Sequence, residues 1–457
     1  MKTVGRKLQV TDMKPLPTQT FFVPAPEENL LPDLFKVINA AASNIIVTLL
    51  SVTISTDGTV IWYDEWEDGY DENVAFGVSK TTKVWGDGNA LNGCAPNILN
   101  CTNSMDTLKA GDSFVIQNDV PIPRIKTIFL YDGGDRIQAS MPINVNRAAY
   151  AKSPGSVLAG AIEMLDTMVW GLTFEAPVGV DLGKTSLAFE HSIFMVMAGY
   201  NNTKVSLPDN TVRVLNIGQS TTFKVNQGNR VKSDKPIQVH LFTGDINSVY
   251  ETRWYSMRPI ETYANAYVTP VGDSMGKTKM IVYNPSNSTL NYSFRYLDGG
   301  IEKVATGIIA GKQAGWTPVI PTGSGALING THPFVALTVT DSEDNAGDGY
   351  GTGGSMYDWG CPVVPLNELT SEVLLGLGYG CTNNNCGSTY DISQKILKAT
   401  FDFSFANNYD IRLFNFKLRS PAVLHGSRKS TMVVKISYLY THQTDGRHHS
   451  FFVSKPC

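Results

Sequence analysis

Apolar and polar residues alternate over short spans of this chain. In TKVSL (Thr203–Leu207) and TTFKV (Thr221–Val225) every second residue is apolar, the period-2 signature of a half-buried strand. LTFEAPV, AFEHSIFMVMA, TVRVLNI, NRVKS and PIQVHLFTG are further runs rich in β-branched and aromatic residues, punctuated by Gly, Asn, Asp and Pro. Helical spacing is rare: only Ser156–Met168 and Glu368–Leu375 read as helices, both short. The pattern predicts an all-β protein.

Landmarks recur along the chain, and recurrence at a fixed period signals repeated units. PVGxxxGKT occurs at Pro177–Thr185 and Pro270–Thr278. A Gly between apolar and polar residues occurs in LKAGD (Leu108–Asp112), LNIGQ (Leu215–Gln219) and IIAGK (Ile308–Lys312). A strand with an internal Pro occurs around Pro142, Pro236 and Pro333, and STMVVKISYLY (Ser430–Tyr440) resembles a fourth copy without the Pro. The expected division is an extended segment over 1–19, then units over 20–160, 165–262, 263–358 and 359–457. The first unit carries an acidic and cysteine-bearing insertion.

About seven strands in a unit of about 95 residues match the size of an Ig-like β-sandwich. The alternative is radial, with the same strands forming propeller-like blades. The recurring Pro suits a strand start or a sheet edge, where no ladder donor is lost. FFVSKP (Phe451–Pro456) echoes FFVPAP (Phe21–Pro26) and would complete a sheet or begin a further unit.

Composition narrows the function. The net charge is −4 and charged residues are 17 % of the chain, so the basic face that nucleic acid needs is missing. No apolar run is long enough to cross a bilayer. Six cysteines include two close pairs, Cys94/Cys101 and Cys381/Cys386, expected to close small disulfide loops, with Cys361 and Cys457 unassigned. Sequons stand at Asn100, Asn201, Asn287, Asn291 and Asn329. Together these point to an oxidising, extracellular setting. The opening MKTVGRKLQVTDMKP has no hydrophobic leader core, so the chain reads as a mature product or an excised fragment.

The GKT tripeptides are decoys. Gly179–Gly183 and Gly272–Gly276 are one residue short of a phosphate loop, and strand-like runs follow where a helix is required. A turn is expected at both. No nucleophile elbow is present, and His191 and His240 sit in strands as ordinary core or surface residues.

WYDEWEDGYDEN (Trp62–Asn73) is the most distinctive local feature. Asp64, Glu67, Asp68 and Asp71, with Asp341, Glu343 and Asp344 in a second acidic loop, are candidate ligands for Ca²⁺, a cation that prefers oxygen. Trp62, Trp66 and Tyr70 could instead stack on sugar faces. A third possibility is a glycosidase carboxylate pair drawn from Asp64, Glu65, Glu67 and Asp68. The plain alternative is a solvated acidic loop whose tryptophans pack inward. Asp132, Asp135 and Asp245 lie beside corresponding strands and read as turn residues or a row of cation sites.

TVIWYDEWEDGYDEN, VWGDGN (Val84–Asn89), DGGDRI (Asp132–Ile137), KPIQVHLFTGDI (Lys235–Ile246) and YDWGCPVVPLNELTSEV (Tyr357–Val373) together resemble a domain of large secreted bacterial and protist surface proteins. That domain is similar to the N-terminal domain of the IgG-Fc-binding mucin-like proteins, and the resemblance covers about residues 20–440. It implies a secreted, cell-surface or matrix role and no catalytic residues. The expected function is a non-catalytic structural or adhesive glycoprotein of a surface layer, fibre or matrix. Its partners would be copies of itself, or other surface proteins and glycans. A carbohydrate-binding protein is the main alternative, and a glycoside hydrolase a further one.

Overall fold

The computed structural model describes residues 15–35, 44–96, 106–152, 158–246, 252–269, 277–341, 359–368, 372–375 and 397–400. Within them the protein is mostly β, with several antiparallel sheets and one short α-helix, α1 (Glu27–Leu30).

The first group of strands is β1 (Gln19–Phe22), β2 (Ile45–Ile54), β3 (Ile61–Asp64), β4 (Lys83–Trp85), β5 (Ser113–Pro121), β6 (Arg136–Ala139), β7 (Ile143–Ala151) and β8 (Leu158–Glu163). They form two four-stranded sheets, ordered β1-β6-β3-β4 and β5-β2-β7-β8. In β7 residues alternate strictly between buried and half-buried, as a strand with one face on a core must. Phe21, Leu50, Val52, Ile61, Tyr63, Trp85, Phe114, Ile137 and Val145 meet between the two sheets.

The second group is β9 (Gly171–Glu175), β10 (His191–Ala198), β11 (Thr203–Ser206), β12 (Val212–Leu215), β13 (Ser220–Lys224), β14 (Arg230–Gly244) and β15 (Thr252–Ser256). The third is β16 (Ala264–Val268), β17 (Lys277–Tyr283), β18 (Leu290–Asp298), β19 (Ile301–Ile309), β20 (Ala314–Trp316), β21 (Ala326–Asp341) and β22 (Trp359–Pro362). β23 (Val364–Pro365) pairs with β16, and β24 (Glu372–Leu375) pairs with β25 (Leu397–Thr400).

One pairing order runs through all three groups. The first part of β14 lies between β9 and β11, with β12 beyond. Its second part lies between β10 and β15, with β13 beyond. β21 does the same with β16, β18 and β19, then with β17, β22 and β20. In the first group the long strand is split into β6 and β7, which take the same neighbours. Pro142 stands in that split. Pro236 and Pro333 lie where β14 and β21 change partners, beside register shifts between Lys232 and Ile237 and between Ala264 and Ala266. A residue without an N–H fits where the ladder is interrupted, so the proline marks a change of partner inside the strand.

Consecutive groups pack face to face. Met195, Phe242 and Trp254 of the second group join Leu30, Leu31, Leu34, Ile46, Ala149 and Ile162 of the first. Ile281, Leu337 and Val339 of the third join the core of the second beside Leu241 and Tyr255. β8 adjoins β15, β15 adjoins β22, and β22 touches β8. Strands equivalent by pairing therefore gather side by side.

Some sequence expectations need correction. Neither expected helix forms: Leu158–Glu163 is β8, Glu372–Leu375 is β24, and only short 3-10 turns lie at Thr167–Val169 and Leu366–Glu368. LAGAIE has Gly and small residues that a sheet accepts, and pairing with β7 decides the matter. The two GKT tripeptides differ in setting. Gly183–Thr185 is a turn between 3-10 turns at Val180–Leu182 and Leu187–Phe189, whereas Lys277 and Thr278 already open β17. The extra turn before β10 shifts that marker. The Gly marker falls on equivalent loops, those entering β5, β13 and β20.

Candidate functional site

The acidic segment follows β3 directly, and its carboxylates are turned into the protein. Asp64 is the last residue of β3 and is fully buried. It accepts from Arg136 of neighbouring β6, from Thr82 Oγ1 at 3.1 Å and from the Asp71 N–H at 3.0 Å. Asp71 in turn accepts from Thr82 Oγ1 at 2.6 Å and the Ser79 N–H at 2.7 Å. The pair closes the loop over residues 64–82 on itself.

A second knot gathers around Arg124, which is buried. It pairs with Glu67 and Asp132, and its Nη1 donates to the carbonyls of Ile125 and Ile128, both at 2.8 Å. Trp66 Nε1 donates to Asp132 at 2.8 Å, and Tyr63 Oη donates to Asp135 at 2.7 Å. The DGGD turn allows this because of its glycines. A Cβ on Gly133 would lie 2.5 Å from the Pro26 Cα, and Gly134 has φ +109° with the Trp66 ring beside it. Buried Glu27 completes the knot, taking Arg147 at 2.7 Å and the Gly133 N–H at 2.8 Å.

Burial dominates the electrostatics. It pushes Glu65 up to about 7, with Glu67, Asp68 and Asp64 adding to the rise and Lys83 opposing it. Burial also raises Asp135, and Asp132 beside it adds to the shift. One carboxylate oxygen of Glu65 and one of Glu67 have no hydrogen-bond partner. His191 and His240 are core residues, lowered by burial to about 4 and about 3.

The three aromatics do not share a face. Trp62 is buried with Val60, Val74 and Val84. Arg124 and Lys126 both lie over the Trp66 ring, each 5.7 Å from its centroid. Tyr70 donates to the Gly134 carbonyl at 2.6 Å and packs edge-on against Phe22. Trp62 packs inward, as the plain reading expected of both tryptophans, whereas Trp66 is half-buried, and the Asp64, Glu65 and Glu67 side chains are buried rather than solvated.

Of the remaining expected residues, Asp68 is exposed and accepts from Thr81 at 2.7 Å. Asp341 ends β21, while Glu343 and Asp344 lie outside the described residues. Among the described residues no group of three or more His, Cys, Asp or Glu is placed to hold a metal ion. Cys94 is disulfide-bonded, and Cys101, Cys381 and Cys386 lie outside the described residues, as does Asn100. Asn201, Asn287 and Asn291 are exposed, and Asn329 is half-buried within β21. No helix among the described residues is long and apolar enough to cross a membrane.

Sequence reasoning singled out the clustered acids and missed their partners Arg124 and Arg136, and missed the Glu27–Arg147 pair altogether. One signal was available. Arg147 occupies a buried-face position of β7, between Val145 and Ala149, where a charge needs a partner.

These features define a β-rich binding scaffold whose charged cluster is spent on internal bracing. The model of the IgGFc binding protein family matches residues 106–338, half of the chain, and the chain belongs to that family. The family is one of non-catalytic binding domains. No curated protein matches the chain.

Proposed function

We propose that the chain is a non-catalytic extracellular structural or adhesive glycoprotein, acting as a subunit of a surface layer, fibre or matrix. The observation that carries this is where the carboxylates go. Asp64, Glu67, Asp132 and Glu27 are each paired with a buried arginine. A glycosidase would need two of them facing a substrate across an open cleft. Bracing of this kind fixes loops in position, which suits a scaffold that presents a surface.

Family membership supports a protein-binding role. The shared pairing order and the face-to-face packing of successive groups support tandem units of Ig-like type. The side-by-side placement of β8, β15 and β22 favours their radial arrangement. In this reading residues 359–457 supply a fourth unit, and Cys94 pairs with Cys101. Exposed Asn201, Asn287 and Asn291 carry glycans in a secreted product. Calcium would enter through exposed carboxylates such as Asp68. The test is self-association of the purified full chain by sedimentation velocity across a concentration series, with and without Ca²⁺. Concentration-dependent assembly is expected, and a strict monomer under all conditions contradicts the reading.

A further inference from the structure

β19 is the outer strand of its sheet. It is bonded to β18 on one side, and among the described residues no strand pairs its other edge. It is nine residues long, whereas its counterparts β4 and β12 have three and four. Proline, bulges and lysines are the devices that blunt a sheet edge. β19 has no proline, its register with β18 runs unbroken from Ile301 to Ile309, and it holds the single lysine Lys303. Gly299 (φ +58°) and Gly300 (φ +83°) turn the chain tightly into it.

That turn fixes which backbone groups are free. Asp298 and Ile301 face each other across it, and the pair closing a two-residue turn exchanges both main-chain bonds. The odd-numbered residues of β19 therefore bond to β18, while Glu302, Val304, Thr306 and Ile308 point their N–H and C=O outwards. The side chains of these four share one face and are exposed, Val304 by 60 % and Ile308 by 75 %. Arg295 of β18 donates to Glu302 at 2.7 Å, which leaves Lys303, on the opposite face, as the strand's other charge.

We infer that the free edge of β19 pairs antiparallel with β19 of a second copy of the chain. A free edge takes a strand, and the sequence selects which one. β19 is matched about Thr306: Val304 and Ile308 lie two residues to either side, Ala305 and Gly307 one. A two-fold axis through Thr306 sets Val304 of each copy against Ile308 of the other, Ala305 against Gly307, and Thr306 against itself. Outward-bonding residues then face outward-bonding residues, as an antiparallel ladder demands. Lys303 faces Ile309 and Glu302 faces Ala310, so no like charges are opposed. The same operation fails on β12, whose Val212 and Val214 are also exposed: setting these two against each other sets Arg213 against Arg213. A two-fold contact must be self-complementary, and of these two edges only β19 is. The inference rests on the self-assembling scaffold proposed above and names one of its contacts.

The test is sedimentation velocity on the full chain in EDTA and in Ca²⁺, made without glycans because Asn291 stands opposite Ile308 on β18. It compares wild type with Thr306→Pro, Val304→Lys, Ile308→Glu, Val304→Lys/Ile308→Glu and the control Val212→Lys. Thr306→Pro removes an outward N–H and no bond to β18, and the other positions are exposed, so the fold should persist; far-UV circular dichroism checks it. Association should weaken at least ~30-fold in Thr306→Pro and ~10-fold in each single charge variant of β19. In the double variant each lysine meets a glutamate of the other copy, and affinity should return to within about threefold of wild type. Val212→Lys should associate like wild type. If wild type associates and neither Thr306→Pro nor Val304→Lys changes affinity by more than about twofold, this contact is wrong while self-assembly stands. If the single variants weaken association and the double variant is weaker still, β19 pairs with a different strand and the inference is overturned. If wild type is monomeric throughout, both the contact and the self-assembling scaffold are wrong.

Discussion

Tyr70 occupies the space that a side chain on Gly218 would need. A Cβ built on Gly218 would lie 1.7 Å from the Tyr70 hydroxyl oxygen, and Gly218 has φ +74°. Tyr70 belongs to the acidic loop of the first strand group and Gly218 to the turn between β12 and β13 in the second. The loop therefore locks one group to the next. Gly218→Ala should destabilise by ~1–3 kcal/mol through strain and overlap. Combined with Tyr70→Ala, the cost should be smaller than the sum of the singles, since the overlap is removed. Urea unfolding of the four proteins in the cycle measures this; strict additivity would show that the two residues do not meet.

Two buried glutamates brace the fold, and their partners predict unequal costs. Glu27 faces Arg147, whose side chain is wholly buried. Glu175 accepts from Tyr283 of the third group and pairs with Arg230 and Lys312, whose side chains are 43 % and 39 % exposed. Removing Glu27 strands a cation with no route to water, so Glu27→Ala should cost ~3–5 kcal/mol. Glu175→Ala leaves cations that can reach solvent and should cost ~1–3 kcal/mol, mostly in lost hydrogen bonding. Equal losses in denaturant titrations would contradict this ranking.

How much of this was legible beforehand differs by feature. Strands were readable because period-2 burial writes itself into β7 and β11. The proline and glycine landmarks were readable because they serve backbone geometry that recurs. The GKT landmark misled because a few extra residues before β10 change what the same tripeptide does. The carboxylates were conspicuous by clustering, but their cations are remote: Arg124 is 57 residues from Glu67, Arg136 is 72 from Asp64, and Arg147 is 120 from Glu27. Only Arg147 carried a local signal, its buried-face position in β7; Arg124 lies in a loop after β5 and Arg136 opens β6, so the cluster looked solvent-facing until the sheets brought them together.

Stability should fall as pH rises above neutrality. Glu65 is raised to about 7 by burial, and buried Asp135 is raised as well. A carboxyl with a raised folded-state value holds its proton longer when folded, so its contribution is lost as pH rises through that value. His191 and His240 are lowered, so theirs is lost only as pH falls below the ordinary histidine range. Above about pH 6.5 the histidines are silent and the carboxyls act alone. The melting temperature should therefore drop from there to about pH 8.5, with a shallower slope in Glu65→Gln. An unchanged slope in that variant would remove Glu65 from the account.

Chelation should leave the melting temperature unchanged. Asp64 and Asp71 already take their bonds from Arg136, Thr82 and Ser79. A rise on adding Ca²⁺ that vanishes in Asp64→Asn or Asp71→Asn would place the cation on these two carboxylates instead of on exposed Asp68.

Exposure sorts the sequons. When the chain is secreted from a glycosylating host, Asn201, Asn287 and Asn291 should carry glycan and Asn329, half-buried within β21, should not. Peptide mass mapping before and after glycan removal reads each site; full occupancy at Asn329 with none at Asn291 would reverse the assignment.

The most direct test of the central proposal is an electron micrograph of the purified full chain. Ordered multi-copy particles, whether filaments, sheets or defined oligomers, are what a surface or matrix subunit should form. A field of single, separate molecules at every concentration tried would contradict it.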